Sequence, residues 1–177
     1  QASILEPDAL KDAMQGADAV FHTAAWARVV RSVEDPLGTH EVNVTGTLRV
    51  LQTARELGVG RLVYSSSSSV VGDQDTHVVR EDMSPRPVSP YALQKLMGEQ
   101  YAGMFARLFG LSAVSLRYFN VYGPRQLTEG AYALVIGKFI RQKQQGETLT
   151  VYGDGEQTRA YTYVSDVVRA NVLAAQR

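Results

Sequence analysis

Short apolar runs alternate with stretches of helical periodicity along most of this chain, the pattern of an α/β fold built on a parallel sheet. Pro7-Asp8 opens a short helix that runs to Met14, and Ala17-Asp18-Ala19-Val20-Phe21 follows as a strand. A long helix is predicted from Asp35-Pro36, because proline suits a first helical turn. Leu37, Val44, Leu48, Leu51 and Leu57 recur along it at mostly helical intervals, and Gly58 ends it. Arg61-Leu62-Val63-Tyr64 is the next strand. Asp73, Asp75, Pro85, Pro87 and Pro90 mark the segment from Gly72 to Pro90 as irregular. A helix from Tyr91 to Phe109 carries Leu93, Leu96, Met97, Met104, Phe105 and Leu108 on one side. Ser112 to Tyr118 is a strand, Ala131 to Gln145 helical, and Leu149-Thr150-Val151-Tyr152 extended. The last helix is predicted over Ser165 to Gln176 with Ser165 as its N-cap.

Composition narrows the function classes. The 177 residues amount to roughly one domain of ~150. Lys+Arg and Asp+Glu both number 18, so zero net charge gives no basis for a nucleic-acid or anionic-membrane partner. The absence of cysteine removes disulfides and thiolate metal sites and fits a reducing, cytoplasmic setting. His22, His40 and His77 are scattered without ligand spacing, so no metal is expected. No apolar run reaches the ~20 residues of a membrane span, and no signal-peptide pattern opens the chain. The first residue is Gln1, which suggests that further sequence lies upstream.

Crossover topology raises the question of a dinucleotide site, whose phosphates need a Gly-rich loop between a strand and a helix. Gly58-Val59-Gly60 and Gly153-Asp154-Gly155 come nearest and both lack the third glycine. Candidate chemistry lies elsewhere. Of the nine tyrosines, only Tyr91 has a lysine, Lys95, four residues on. Positions i and i+4 share a helix face, so phenol and ammonium can enter one cleft. A phenol with pKa ~10 becomes a usable base when a nearby cation stabilises its phenolate. An ordinary helix surface would show the same pair. The pair nonetheless opens a helix after a Pro-rich segment, downstream of the serines at 65–69 where a strand ends. Ligands bind outside the carboxyl ends of parallel strands, which would let Ser67 donate or pass a proton beside Tyr91.

Six segments, in order, resemble the extended short-chain dehydrogenase/reductase family and specifically its nucleotide-sugar 4-epimerases. They are His22-Thr23-Ala24-Ala25, Asn43-Val44-Thr45-Gly46-Thr47, Ser65 to Gly72, Tyr91 with Lys95, Arg117 to Gln126, and Gly153 to Arg159. Within that family, Arg125 through Gly130-Ala131-Tyr132 looks most like UDP-N-acetylglucosamine 4-epimerases. The resemblance implies a Rossmann-like, doubly wound parallel sheet. Family chains run nearly twice this length, so the first βαβ unit and the C-terminal substrate segments are expected to lie outside these residues. It implies a dinucleotide-binding part over 1–124, a nucleotide-sugar part over 125–160, and a return to the first part over 161–177.

By the same resemblance, Tyr91 removes the 4-hydroxyl proton while the C4 hydride passes to bound NAD. Lys95 bonds the nicotinamide ribose and lowers the Tyr91 pKa, and Ser67 shuttles the proton. Ala24, Ala25, Asn43, Ser65 and Tyr118 match positions around the cofactor. Ser68, Ser69 and Asn120 would face the sugar, and Trp26 and Arg28 lie in the loop that faces it, although Arg28 reads equally as a solvated arginine. Thr150 and Tyr152 fall where the family cradles uracil, and Arg159 matches the arginine on the diphosphate of a UDP-sugar. Leu134 falls beside the nucleotide sugar and reads equally as core. Dehydratase relatives place Asp-Glu directly after the catalytic hydroxyl residue, because eliminating water needs an extra acid and base. Ser68 and Ser69 stand there instead, which favours epimerisation over dehydration or decarboxylation; a non-catalytic nucleotide-binding fragment stays as the alternative, since the 177 residues lack the first βαβ unit. Three residues depart from the family pattern: Val71 for a Tyr, Ala160 for an Asp, and Ser3 for an Asp at the adenine. Relatives dimerise through two long helices, matched here by 36–57 and 91–109, so a homodimer is expected.

Overall fold

The computed structural model describes residues 2–76, 78–129 and 133–176. His77 and the Gly130-Ala131-Tyr132 segment that the sequence singled out lie outside the described residues. The chain forms two compact units, residues 1–118 with 171–177 and residues 119–170.

In the first unit α1 (Pro7–Met14) precedes β1 (Ala19–His22). The chain then passes through α2 (Val29–Glu34), α3 (Pro36–His40), a π-helical turn (Glu41–Gly46) and α4 (Thr47–Glu56) to β2 (Arg61–Ser67). A 3-10 turn (Ser68–Val70) and an irregular stretch lead to α5 (Pro90–Phe109) and β3 (Ala113–Tyr118). The three strands are parallel in the order β1-β2-β3. Such neighbours require helical crossovers, and the sequence supplies one in each gap. α1, α4 and α5 close over one face, where Leu10, Met14, Leu51, Ala54, Leu62, Tyr64, Ala102 and Phe105 form the core. On the opposite face the end of α7 (Val164–Gln176) reaches the sheet, its Ala174 carbonyl accepting from Arg61 Nε at 2.7 Å. Gly58 at φ 67° ends the α4 run where the sequence stops it.

The α5 packing face differs from the expectation. Leu93, Met104 and Leu108 are 44%, 42% and 66% exposed, while Tyr91, Ala92, Gln94, Lys95, Gly98, Ala102 and Phe105 are buried. The helix sits so close to β2 that a Cβ on Gly98 would lie 2.2 Å from Tyr64 Oη. Only a residue without a side chain fits at Gly98, and Leu93, Met104 and Leu108 face outward while Phe105 packs in the core.

The predicted long helix is interrupted. Val42-Asn43-Val44-Thr45-Gly46 is rich in β-branched residues with a glycine, a poor helix former, and there the backbone widens into a π turn. Thr47 Oγ1 donates to the Asn43 carbonyl at 2.7 Å.

The second unit pairs β4 (Asn120–Tyr122) with β5 (Tyr161–Tyr163) in parallel, with α6 (Val135–Gln144) between them in sequence. Neither strand, nor α2, was predicted; at three residues each the strands carry no readable alternation. Residues 149–152 form no strand ladder. Ser165 lies inside the first turn of α7 instead of capping it, because β5 runs directly into the helix at Val164.

Candidate active site

Ser89 and Pro90 determine where Tyr91 stands. The Ser89 side chain accepts from Ala92 N at 3.1 Å as N-cap, and Pro90 occupies the first helical turn. Tyr91 N donates to the buried Ser32 hydroxyl at 3.0 Å. The phenol is thereby delivered to the carboxyl end of β2, beside the Ser67 side chain, whose influence on it is to lower its pKa. Ser67 ends that strand and donates to Ser69 Oγ at 3.1 Å, while Ser69 N donates back to Ser67 Oγ at 3.2 Å. Ser68 and Ser69 are half-buried beside it in the 3-10 turn. Lys95, one turn along α5 and 4% exposed, donates from Nζ to the Ser65 carbonyl at 2.8 Å and stands 5.0 Å from the Tyr64 ring centroid.

Burial dominates the electrostatics. It lowers the Lys95 ammonium from 10.5 to about 8. It raises the Tyr91 phenol above its ordinary value, against which the Ser67 side chain acts downward. The Lys95 ammonium is itself engaged by the Ser65 main-chain carbonyl. His22, on the neighbouring strand, is lowered from 6.5 to about 4 by desolvation and then by Lys95. It is 2.9 Å from Thr47 Oγ1 and neutral at physiological pH.

Around this centre, Ala24 is exposed and Ala25 and Arg28 are half-buried in the segment after β1, where Arg28 stands at the N-cap of α2. Ser65 Oγ donates to Tyr118 Oη at 3.2 Å, and Tyr118 Oη donates to Asn171 Oδ1 at 2.7 Å. Asn43, expected at the cofactor, is 1% exposed with its amide consumed by the Trp26 backbone and by Gln94. Sequence reasoning missed Ser32, Gln94 and His22. Gln94 falls between Tyr91 and Lys95, and the signal for it was the small-residue side of α5, overlooked in favour of the leucines.

The remaining sequence-predicted residues lie in the second unit, and all of them line one cavity. Asn120, Leu134, Thr150, Tyr152 and Arg159 surround a space of about 520 Å³ with Phe139. Arg159 Nη1 donates to the Thr158 carbonyl at 2.6 Å, Thr150 is bonded to Gln142, and Asn120 Nδ2 donates to the Ala160 carbonyl at 3.0 Å. Tyr152 is 73% exposed, its ring open to stack on a planar group.

The donors at the β2 end fit a nicotinamide nucleotide in part. One of the three N–H donors of Lys95 goes to Ser65, and the other two suit the vicinal hydroxyls of a ribose. No G-x-G-x-x-G phosphate loop is among the 177 residues, so the fit concerns the nicotinamide half. Among the described residues no group of three or more His, Asp or Glu side chains could hold a metal ion, and no helix is long and apolar enough to cross a membrane.

Known proteins share this fold. A family model described as the NAD dependent epimerase/dehydratase family matches residues 1–177. The UDP-glucose 4-epimerase of Mycolicibacterium smegmatis is 42% identical over 158 residues, 89% of this chain and 50% of the relative. A solved UDP-N-acetylglucosamine 4-epimerase from Methanobrevibacter ruminantium, in complex with UDP-N-acetylmuramic acid, superposes with TM-score 0.94 at 39% identity, covering 99% of this chain and 56% of that one. The UDP-glucose 4-epimerase of Thermus thermophilus, complexed with NAD, gives TM-score 0.90 at 36% identity over 98% of this chain and 58% of that one. The chain spans about half the length of the curated relatives it matches.

Proposed function

The chain belongs to the NAD-dependent epimerase/dehydratase family, and from that premise we propose that it carries the catalytic residues of a UDP-sugar 4-epimerase. The observation that carries this reading is the placement of the Tyr91 phenol beside Ser67 at the carboxyl end of β2, with Lys95 buried one turn behind it and bonded to the Ser65 carbonyl. NAD, when bound, supplies a reversible acceptor for the C4 hydride. Tyr91 and Ser67 hold the proton of the substrate 4-hydroxyl and return it once the 4-keto sugar has turned over. Burial opposes phenolate formation, and Lys95 is the cation on the same helix face able to offset it. Lys95 also orients the ribose. Ser68 and Ser69 offer hydroxyls for the sugar and no carboxylate, so the acid and base that elimination of water requires are lacking beside Ser67.

The second-unit cavity is the candidate seat of the UDP part, with Tyr152 stacking on uracil beside Thr150, and Arg159 bonding diphosphate oxygens in pairs. Asn120 and Leu134 would border the sugar-proximal part. The exposed Leu93, Met104 and Leu108 of α5, with Leu37 83% exposed on α3, give an apolar surface suited to a homodimer. A cysteine-free enzyme using NAD and nucleotide sugars fits the cytoplasm. The test supplies NAD with UDP-N-acetylglucosamine or UDP-glucose and follows the galacto epimer by NMR. Its appearance, and its loss in Tyr91→Phe with the fold retained, are the expected results. A 4-keto-6-deoxy product, or full turnover by Tyr91→Phe, would overturn the reading.

A further inference from the structure

We propose that Gln94 is a positioning residue: through Asn43 it ties the loop carrying Trp26 to the helical turn that bears Tyr91 and Lys95. Trp26 N donates to Asn43 Oδ1 at 2.8 Å, which orients the Asn43 amide. Asn43 Nδ2 then donates to the Trp26 carbonyl at 3.1 Å and to Gln94 Oε1 at 2.8 Å, using both of its hydrogens. Gln94 must present its oxygen to Asn43, so its Nε2 faces Thr39 Oγ1 at 3.1 Å and the Pro36 carbonyl at 3.4 Å. The Thr39 hydroxyl passes the direction on, donating to the Asp35 carbonyl at 2.9 Å. One main-chain N–H thereby dictates the orientation of every group down the chain of bonds.

All three side chains are almost wholly buried: Gln94 4% exposed, Asn43 1% and Thr39 0%. Breaking one link strands its neighbours away from water, so the three act together. Their location gives them a task. Gln94 stands between Tyr91 and Lys95 on the buried side of α5, and the other end of the chain clamps both main-chain groups of Trp26 in the loop after β1. A relative shift of loop and helix therefore cannot occur without opening buried hydrogen bonds. That this loop faces the sugar rests on the proposed function; the mechanical coupling does not.

Trp26 is the single tryptophan and Arg31 stacks on its ring at 3.7 Å, so intrinsic fluorescence reports this loop alone. In the full chain, Gln94→Met keeps the volume and removes both amide bonds. It should raise acrylamide quenching of Trp26 roughly twofold through local opening, with far-UV circular dichroism unchanged. Gln94→Glu retains the acceptor facing Asn43 and should stay nearer the parent. With NAD and UDP-sugar, kcat of Gln94→Met should fall about ten- to a hundredfold, more than KM rises, as for a misplaced catalytic turn. Should Gln94→Met fail to fold, Thr39→Val breaks the same chain at its far end and decides the matter by the same quenching. Unchanged Trp26 quenching in a folded variant, or equal effects of Met and Glu, would overturn the proposal. A parent protein without turnover but with a responsive Trp26 would reject the epimerase reading and leave the coupling standing.

Discussion

Replacing Lys95 by methionine should make the protein more stable at neutral pH while abolishing turnover. The side chain is 4% exposed, and its ammonium has exchanged water for a hydrogen bond to one carbonyl oxygen and the face of the Tyr64 ring. Burial lowers its pKa from 10.5 to about 8. Between those values the unfolded chain holds a proton that the folded chain has released, so stability rises with pH across that window and the full cost is present below it. The cost at pH 7 is about 3 kcal/mol. Methionine removes it but leaves the Ser65 carbonyl without its partner, which takes back about 1–3 kcal/mol. A net gain of up to about 2 kcal/mol at pH 7 is expected, shrinking and reversing as pH approaches 10. Urea unfolding of parent and Lys95→Met, followed by circular dichroism from pH 7 to 10, measures the difference directly. Tyrosine ionisation is common to both proteins and cancels. A stability difference independent of pH within about 0.5 kcal/mol would refute the claim that a charged amine is held here at a cost.

His22 should remain neutral by NMR titration down to about pH 4, and stability should fall by about 3 kcal/mol as pH drops from 6.5 toward that value, since only the unfolded imidazole binds a proton there; an ordinary titration near 6.5 would contradict its burial. Gly98→Ala, a gain of nearly 1 kcal/mol in an open helix, should instead cost about 1–3 kcal/mol, because the new Cβ would lie 2.2 Å from Tyr64 Oη. Thermal melting decides its sign. Arg159→Met should raise KM for the UDP-sugar with little change in kcat, as the exposed guanidinium lines the second-unit cavity proposed for the UDP part; an unaltered KM would remove it from the diphosphate.

Local chemistry made much of this protein legible. The Tyr91/Lys95 spacing marked a helix face because i and i+4 always share one, and Pro90 marked the turn in which it begins. Residues 65–69 were readable as the end of a strand, although the ladder continues through Ser67 paired with Tyr118. What failed did so for tertiary reasons. Helical spacing put the large apolar residues of α5 on one side without deciding what that side meets, and the close approach to Tyr64 sets Ala92, Gly98 and Ala102 on the inner side with Phe105. The π turn at Glu41–Gly46 and the short strands β4 and β5 depend on partners remote in sequence, so no local periodicity announces them.

The amino-acid sequence alone determined the longer helices and strands, the parallel α/β class and the candidate acid–base residues, because periodicity, capping and side-chain chemistry act over a few neighbouring positions. Folding decided the rest. It buried Lys95 and His22 deeply enough to displace their proton affinities, set Ser67 beside the Tyr91 phenol, and bonded Asn43 to Gln94 in the interior. Desolvation and hydrogen-bond matching depend on which atoms surround a group, and only the packed chain brings those atoms together.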